Sequence, residues 1–308
     1  MSQLRVLKTL GLAQLQDGGR FGCRHLGVTQ GGALDWLAAG QANRLLGNPP
    51  DAAVVEIPWG GLSLLIEEDS TLALCGADLA ATLDGEAVEN NTSFAVRAGQ
   101  QLDCHSPRLG VRGYLSAPDG FSAPNLLGAC ATVSRERLGG LHGDGRALQT
   151  GDLLAYGIRA VRPTRLPQDN YFDLSAPASL DLLFGAEYAR FAGPSLFALV
   201  NQAWQVDRRA DRMGARLSGP RLDYQGPGLV STGIPLGAIQ VPPDGQPIIL
   251  LQDRQTIGGY PRIGALTPLA VARLAQCSPG QMLHLRTIGQ EAALQQTLHW
   301  LYKLQQQL

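Results

Sequence analysis

Short apolar runs separated by glycine, proline or polar turns recur along the whole chain. Nine of them, at residues 5–15, 52–57, 62–66, 71–76, 93–99, 110–117, 179–185, 237–242 and 246–252, have the length and the Val, Ile and Leu content of strands. Strands at such spacing predict a mainly β chain of barrel or sandwich type. A small device recurs at Ala98-Gly99-Gln100-Gln101-Leu102, Thr150-Gly151-Asp152-Leu153-Leu154 and Pro279-Gly280-Gln281-Met282-Leu283. In each, glycine precedes a polar residue and then a leucine-containing run, as in a turn entering a strand.

Helical spacing is rarer. Leu34, Leu37, Ala38, Ala42 and Leu45 share one face of a helix over 34–46, which Gly47-Asn48-Pro49-Pro50 stops. A second helix is predicted over 267–276, with Thr267 as N-cap and Pro268 at the first helical position. The C-terminal segment aligns Leu294, Leu298, Leu301 and Leu308 as a helical stripe. Pro163 and Pro167 make residues 159–170 an extended connection. The chain is therefore expected to divide into two mainly β halves, 1–160 and 161–308, with a few short helices and a C-terminal helix.

Length and composition narrow the chemistry. At 308 residues there is material for one large domain or two ordinary ones, each with a real core. A net charge of −1 offers no global field for nucleic acid or an anionic membrane. Of the basic residues only Lys8 and Lys303 are lysines, so no phosphate-binding loop of the G-x-x-x-x-G-K-[ST] type exists. Neither lysine stands in the Ala-Met-Lys-Met setting of a biotinylated carrier. Cys23, Cys75, Cys104, Cys130 and Cys277 are widely spaced, which points away from zinc and from a disulfide framework and towards reduced thiols. With no secretion signal pattern and no 18-residue apolar span, a cytoplasmic protein is expected.

Two polar stretches interrupt this apolar pattern. Directly after the strand-like run at 246–252 come Asp253, Arg254, Gln255, Gly258, Gly259, Tyr260 and Arg262. Paired glycines let backbone N–H groups approach a ligand. Arg254 and Arg262 could grip a carboxylate, Asp253 could act as a base, and Gln255 suits an amide edge. Near the N-terminus, residues 16–35 repeat the theme with Asp17, Gly18-Gly19, Arg20, His25, Gly31-Gly32 and Asp35. Each side chain also has a plain structural reading: a polar turn facing water, a structural histidine, or, for Asp35, a helix start complementing the dipole.

These stretches, with residues 42–48, 211–220, 237–263 and 274–281, resemble the C-subunit family of bacterial 5-oxoprolinase. It is also called the biotin-dependent carboxyltransferase or allophanate hydrolase subunit 2 family, and includes Kip-type antagonists. The resemblance covers roughly residues 4–290. It implies a two-part, cyclophilin-like β-barrel architecture and a place beside partner subunits A and B in opening 5-oxoproline (pyroglutamate) to glutamate with ATP. No cofactor is expected on this chain, and ATP is expected at a partner or a subunit interface. Relatives fused into urea carboxylase transfer a carboxyl group from biotin to urea instead. Both reactions activate a planar N–C=O group, which needs donors at the oxygen and a base near the nitrogen or an attacking water.

On this basis Asp17, Arg20, His25, Asp35, Asp253 and Gln255 are the catalytic candidates, and Arg254, Gly258, Gly259, Tyr260 and Arg262 the substrate-binding ones. Residues 16–35 and 252–262 are expected to converge on one concave site. The chain departs from the family pattern at Cys23, at Ala129 and Ala131 in residues 128–132, at Asp119 in residues 117–121, at Thr232 and at Ile257. Substrate identity is what these changes put in question. A lactamase subunit, a carboxyltransferase subunit with biotin on a partner, and a non-catalytic regulatory binding subunit are the three readings.

Overall fold

The computed structural model describes residues 2–167 and 171–306. It contains two compact units. One comprises Met1–Phe21, Gly31–Leu174 and Leu301–Leu308; the other comprises Gly22–Gln30 and Ser175–Trp300. Each closes around its own interior.

In the first unit the strands form two antiparallel sheets. The six-stranded sheet runs Leu153–Tyr156, Ser2–Lys8, Leu62–Ile66, Gln101–Cys104, Thr82–Leu83, Glu86–Ala87 in spatial order. The five-stranded sheet runs Gln14–Gln16, Val54–Pro58, Leu109–Ser116, Ser70–Asp78, Thr92–Val96. Alternation decides which side is inside: Leu62, Leu64 and Ile66 are buried while Ser63 and Leu65 between them are partly exposed. Both sheets feed one core, with Leu4, Val6 and Leu64 from one and Ile57, Leu72 and Leu115 from the other. Burying one such side chain is worth about 1.5–3 kcal/mol, so this face outweighs any single surface contact. The run expected as one strand over 5–15 is two, because Gly11 adopts φ 74° and donates to Thr9 Oγ1, leaving Leu10 and Leu12 exposed.

The helix Trp36–Leu45 begins where Asp35 accepts a hydrogen bond from the Ala38 N–H at 3.0 Å. Its predicted apolar face is buried, but so is the face carrying Gln41, Asn43 and Arg44. Hydrogen bonds to backbone offset the cost of that burial: Asn43 Nδ2 donates to the Ala52 carbonyl at 2.8 Å and Arg44 Nε to the Gln306 carbonyl at 2.8 Å. The connection after residue 158 belongs to none of the named helices and strands, yet it is fastened to the sheet. Thr71 donates to the Val161 carbonyl, and the Ser93 and Leu166 N–H groups donate to the carbonyls of Thr164 and Asn91. Residues 168–170 of the expected connection lie outside the described residues.

The second unit is a closed seven-stranded barrel. Its order is Ala178–Phe184, Arg262–Leu266, Ala238–Gln240, Ile248–Leu250, Gly214–Ser218, Ala203–Val206, Met282–Thr287. Closure is made by the parallel pairing of the first and last of these, and it removes every open sheet edge. A two-residue ribbon, Thr232–Gly233 against Ile257–Gly258, stands apart from the barrel. Helix Pro268–Ala275 has the predicted cap, Thr267 Oγ1 accepting from the Ala270 N–H. Helix Gly193–Asn201 is not among the predicted elements, because its short apolar run does not separate helix from strand by periodicity. In all three turn devices the glycine has positive φ, 88°, 93° and 86° at Gly99, Gly151 and Gly280, and a strand follows two residues later.

The C-terminal helix, Gln290–Gln305, forms as expected, but its predicted stripe does not face inward. Leu294, Leu298 and Leu301 are exposed, whereas Ala293 and Leu304 are buried, Leu304 against Gly40. Leu308 lies outside the described residues.

Candidate functional site

In the first unit the strand Gln14–Gln16 runs into a turn whose polar side chains are occupied by backbone. Asp17 Oδ1 accepts from the Gly19 N–H at 2.8 Å, and Oδ2 accepts from the Cys130 N–H at 2.6 Å. Arg20 is fully buried, its Nε donating to the Leu126 carbonyl at 3.0 Å and its Nη2 to the Ala129 carbonyl at 3.4 Å. A Cβ on Gly139 would fall 2.4 Å from Arg20 Nη2 and 2.0 Å from the Ala131 carbonyl oxygen, so that position must be glycine. Burial, reinforced by the Asp17 charge, raises the Cys130 thiol and keeps it from acting as a nucleophile.

Asp35 is likewise engaged. Besides capping the helix, its carboxylate accepts from the Tyr171 hydroxyl, and its N–H donates to Tyr114 Oη at 2.8 Å. The Tyr114 hydroxyl in turn donates to the buried Glu56 carboxylate at 2.8 Å. Desolvation holds this phenol well above its ordinary value. The geometry is that of a sealed brace at the helix start.

The second unit contains the other eight predicted residues: His25, Asp253, Arg254, Gln255, Gly258, Gly259, Tyr260 and Arg262. Here the short turn Arg24–Leu26, ended by Gly27 at φ 79°, directs Arg24 towards the loop after the strand Ile248–Leu250. Arg24 Nη2 donates to the carbonyls of Ile234 at 2.8 Å, Thr256 at 3.0 Å and Gln255 at 3.2 Å. Arg254 is buried as well: its Nε reaches the Ile234 carbonyl at 3.1 Å, its Nη1 the Leu251 carbonyl at 3.2 Å, and its Nη2 Gln30 Oε1 at 3.2 Å. Desolvation first, then the neighbouring Arg24 charge, draws Arg254 down to about 10. Two guanidinium groups so close, served mostly by neutral carbonyls, leave the loop electropositive and rich in donors.

The remaining candidates fall around this loop. Asp253 is bound bidentately by Arg212, with Nε to Oδ2 at 2.9 Å and Nη2 to Oδ1 at 3.0 Å. Arg262 donates to the Gly233 carbonyl at 2.8 Å and lies 3.7 Å from Glu187. His25 and Tyr260 are exposed, and Gln255 is half-buried. Gly259 lines a cavity of about 290 Å³ whose wall includes Tyr224, Leu229, Val241 and Tyr260. The structure thus joins Arg24 and Gln30 from the first polar stretch to residues 254–256 of the second, within one unit. Gln16–Phe21 and Gly31–Asp35 of that stretch belong to the first unit. Arg24 is not among the residues singled out from the sequence. Its neighbours Arg20 and His25 look equally eligible there, and a three-residue turn has no periodicity to say which points inward.

Among the described residues no group of three or more His, Cys, Asp or Glu side chains is placed to hold a metal ion. No helix of the described residues is long and apolar enough to cross a membrane.

Residues 26–287 match the family model described as carboxyltransferase domain, subdomain A and B, and the chain belongs to that family. It is 37% identical over 295 residues to the C-subunit of 5-oxoprolinase from Escherichia coli, covering 94% of this chain and 93% of that one. To the 5-oxoprolinase C-subunit of Haemophilus influenzae it is 34% identical over 290 residues, covering 94% and 92%. Among solved structures the K. lactis urea amidolyase aligns with a TM-score of 0.92 at 24% identity, over 98% of this chain and 20% of that much longer one, which is a likeness of fold.

Proposed function

We propose that this chain is a subunit of an ATP-dependent 5-oxoprolinase complex that opens 5-oxoproline to glutamate, is active only with partner subunits A and B, and works in the cytoplasm. The observation that carries this reading is the 37% identity, across nearly the full length of both chains, to a 5-oxoprolinase C-subunit. The site chemistry supports it. Opening a lactam places negative charge on the carbonyl oxygen, and N–H donors fixed in a poorly hydrated loop stabilise that charge. Gln255 and the backbone at Gly258 and Gly259 are suited to this task, and the electropositive Arg24 and Arg254 favour a substrate that carries a carboxylate. Of the six catalytic candidates, Asp17, Arg20, Asp35 and Asp253 are engaged in the braces described above. His25 and Gln255 lie outside those braces and are the two assigned to the reaction, with further acid/base groups and the ATP site supplied by partner subunits.

The family model favours a second reading, a carboxyltransferase acting on urea or a similar amide, with biotin carried by a partner. The two readings part in one experiment. Co-purification with candidate subunits A and B, followed by an assay of glutamate release from 5-oxoproline, should show turnover that requires ATP and all subunits. The isolated chain should be silent. Robust ATP-dependent opening by this chain alone would sink the subunit reading, and biotin-dependent carboxylation of urea in place of glutamate release would support the second.

A further inference from the structure

Gln240 is not among the residues that composition or motif brought forward, yet it is one of the buried polar side chains of the second unit that carry an unmatched atom. It ends the strand Ala238–Gln240, where the pairing with Arg262–Leu266 shifts register between Ile239 and Gln240. Bulges of this kind re-aim a side chain and cluster beside active sites. The residue is 2% exposed, and its Nε2 has no hydrogen-bond partner among the described residues. A buried donor left without an acceptor costs about 1–3 kcal/mol, so its persistence calls for a reason.

The surroundings supply one. A Cβ placed on Gly258 would lie 3.0 Å from Gln240 Nε2, 3.0 Å from Gln255 Nε2 and 2.7 Å from Ile234 Cδ1. Both amide nitrogens thus crowd the same bare glycine. Arg24 Nη1, on the guanidinium that holds the Ile234 carbonyl, is a second buried donor without a partner among the described residues. Donors converge here and acceptors are short. Gln255 is the movable member, half-buried on a loop, whereas Gln240 is fixed by the barrel.

We propose that Gln240 is a substrate-binding residue whose side-chain amide, together with that of Gln255, holds the oxygen of a planar N–C=O group, with Gly258 required to let the two amides meet. This rests on the lactam or amide substrate class proposed above and adds to it the donor inside the barrel. Rotation of the Gln255 side chain admits the ligand, and its oxygen then satisfies the buried Gln240 N–H. No bond is made or broken in this step.

The test is binding to the full chain, without partners, of three probes: 5-oxoproline, 2-pyrrolidinone and urea, each followed by calorimetry and by thermal shift. The wild type is expected to bind at least one of them. Gln240→Leu should weaken that binding roughly tenfold, the scale of one lost hydrogen bond, while the ligand-free melting temperature stays level or rises because an unmet donor is removed. Gln240→Glu, which offers acceptors where an acceptor must bind, should weaken it further. Gln255→Leu, on the loop, is the companion variant should leucine at 240 pack badly, and a similar loss is expected. Wild-type affinity in both leucine variants, or no binding of any probe by the wild type, would overturn the assignment. Binding of urea alone, lost in Gln240→Leu, would uphold Gln240 and count instead against the 5-oxoproline reading.

Discussion

The two polar stretches are nearly the same in composition, an Asp, an Arg and paired glycines at the end of an apolar strand, and the fold uses them differently. Around Arg20 four polar groups meet backbone: both Asp17 oxygens, and the Nε and Nη2 donors of Arg20, at Gly19 or between Leu126 and Cys130. Around Arg254 the carboxylate is matched to Arg212 and the guanidinium to two backbone carbonyls and Gln30 Oε1, but the amides of Gln240 and Gln255 converge on Gly258, and the buried Gln240 Nε2 has no acceptor among the described residues. A matched cluster stiffens a loop. A cluster with surplus donors holds binding capacity for an oxygen-bearing ligand.

The contrast is most exposed to test at the matched end. Arg20→Ala removes a buried guanidinium and strands the carbonyls of Leu126 and Ala129, so a loss of about 3–5 kcal/mol is expected from the two charged hydrogen bonds alone. Arg20→Lys should recover little, since one ammonium cannot reproduce a planar fork. Chemical denaturation of the isolated chain reads both, and unchanged stability would mean that Arg20 is available for substrate after all. The matched ion pair of the second stretch should behave likewise: Asp253→Ala should cost about 3 kcal/mol by leaving Arg212 without its carboxylate, since both side chains are largely buried.

At the unmatched end the expected effect moves from stability to turnover. Gln255→Ala should leave the stability within the range of an ordinary surface change, about 0.5 kcal/mol. In the reconstituted complex it should lower glutamate release roughly 10²-fold, the scale of one donor to a developing oxyanion. A drop in stability matching that of Arg20→Ala would erase the distinction between the two regions.

Local pattern made much of the fold legible. A short apolar run placed the strand Leu62–Ile66 residue for residue, and Thr267-Pro268 placed a helix start, because both signals are complete within a few neighbours. The leucine stripe at 294, 298 and 301 shows where such signals stop. Periodicity says which residues share a face, and only the packing says whether that face is covered. The candidate site was legible only as two glycine-rich stretches, of which Gly22–Gln30 of the first shares a unit with the second. Whether an Arg braces a loop or serves a ligand depends on which carbonyls reach it, and those of Ile234 and Thr256 lie more than two hundred positions from Arg24. Gln240 carried no signal of its own, for its meaning comes from a bulge and from the absence of a side chain at Gly258.

The smallest effect expected is chemical and leaves the fold untouched. None of the five cysteines is in a disulfide, and each region holds one: Cys130 in the matched cluster, buried with its N–H on Asp17, and Cys23 beside Arg24, partly exposed. Burial raises Cys130, and Cys75 and Cys104 too, the last to about 12 from 9.0. Since the thiolate is the reactive form, iodoacetamide at neutral pH should modify Cys23 in the native chain and spare the other four until denaturant is added, as mass spectrometry of the labelled peptides would show. The same shifts set an alkaline limit. A thiol whose folded value lies above its unfolded one stabilises the fold fully below the unfolded value. That contribution is lost as the pH climbs towards the folded one, so stability should decline from about pH 9 upward. Native labelling of Cys130 at a rate comparable to Cys23 would mean that the first cluster opens in solution, and the contrast between a closed brace and a ligand-ready loop would fall with it.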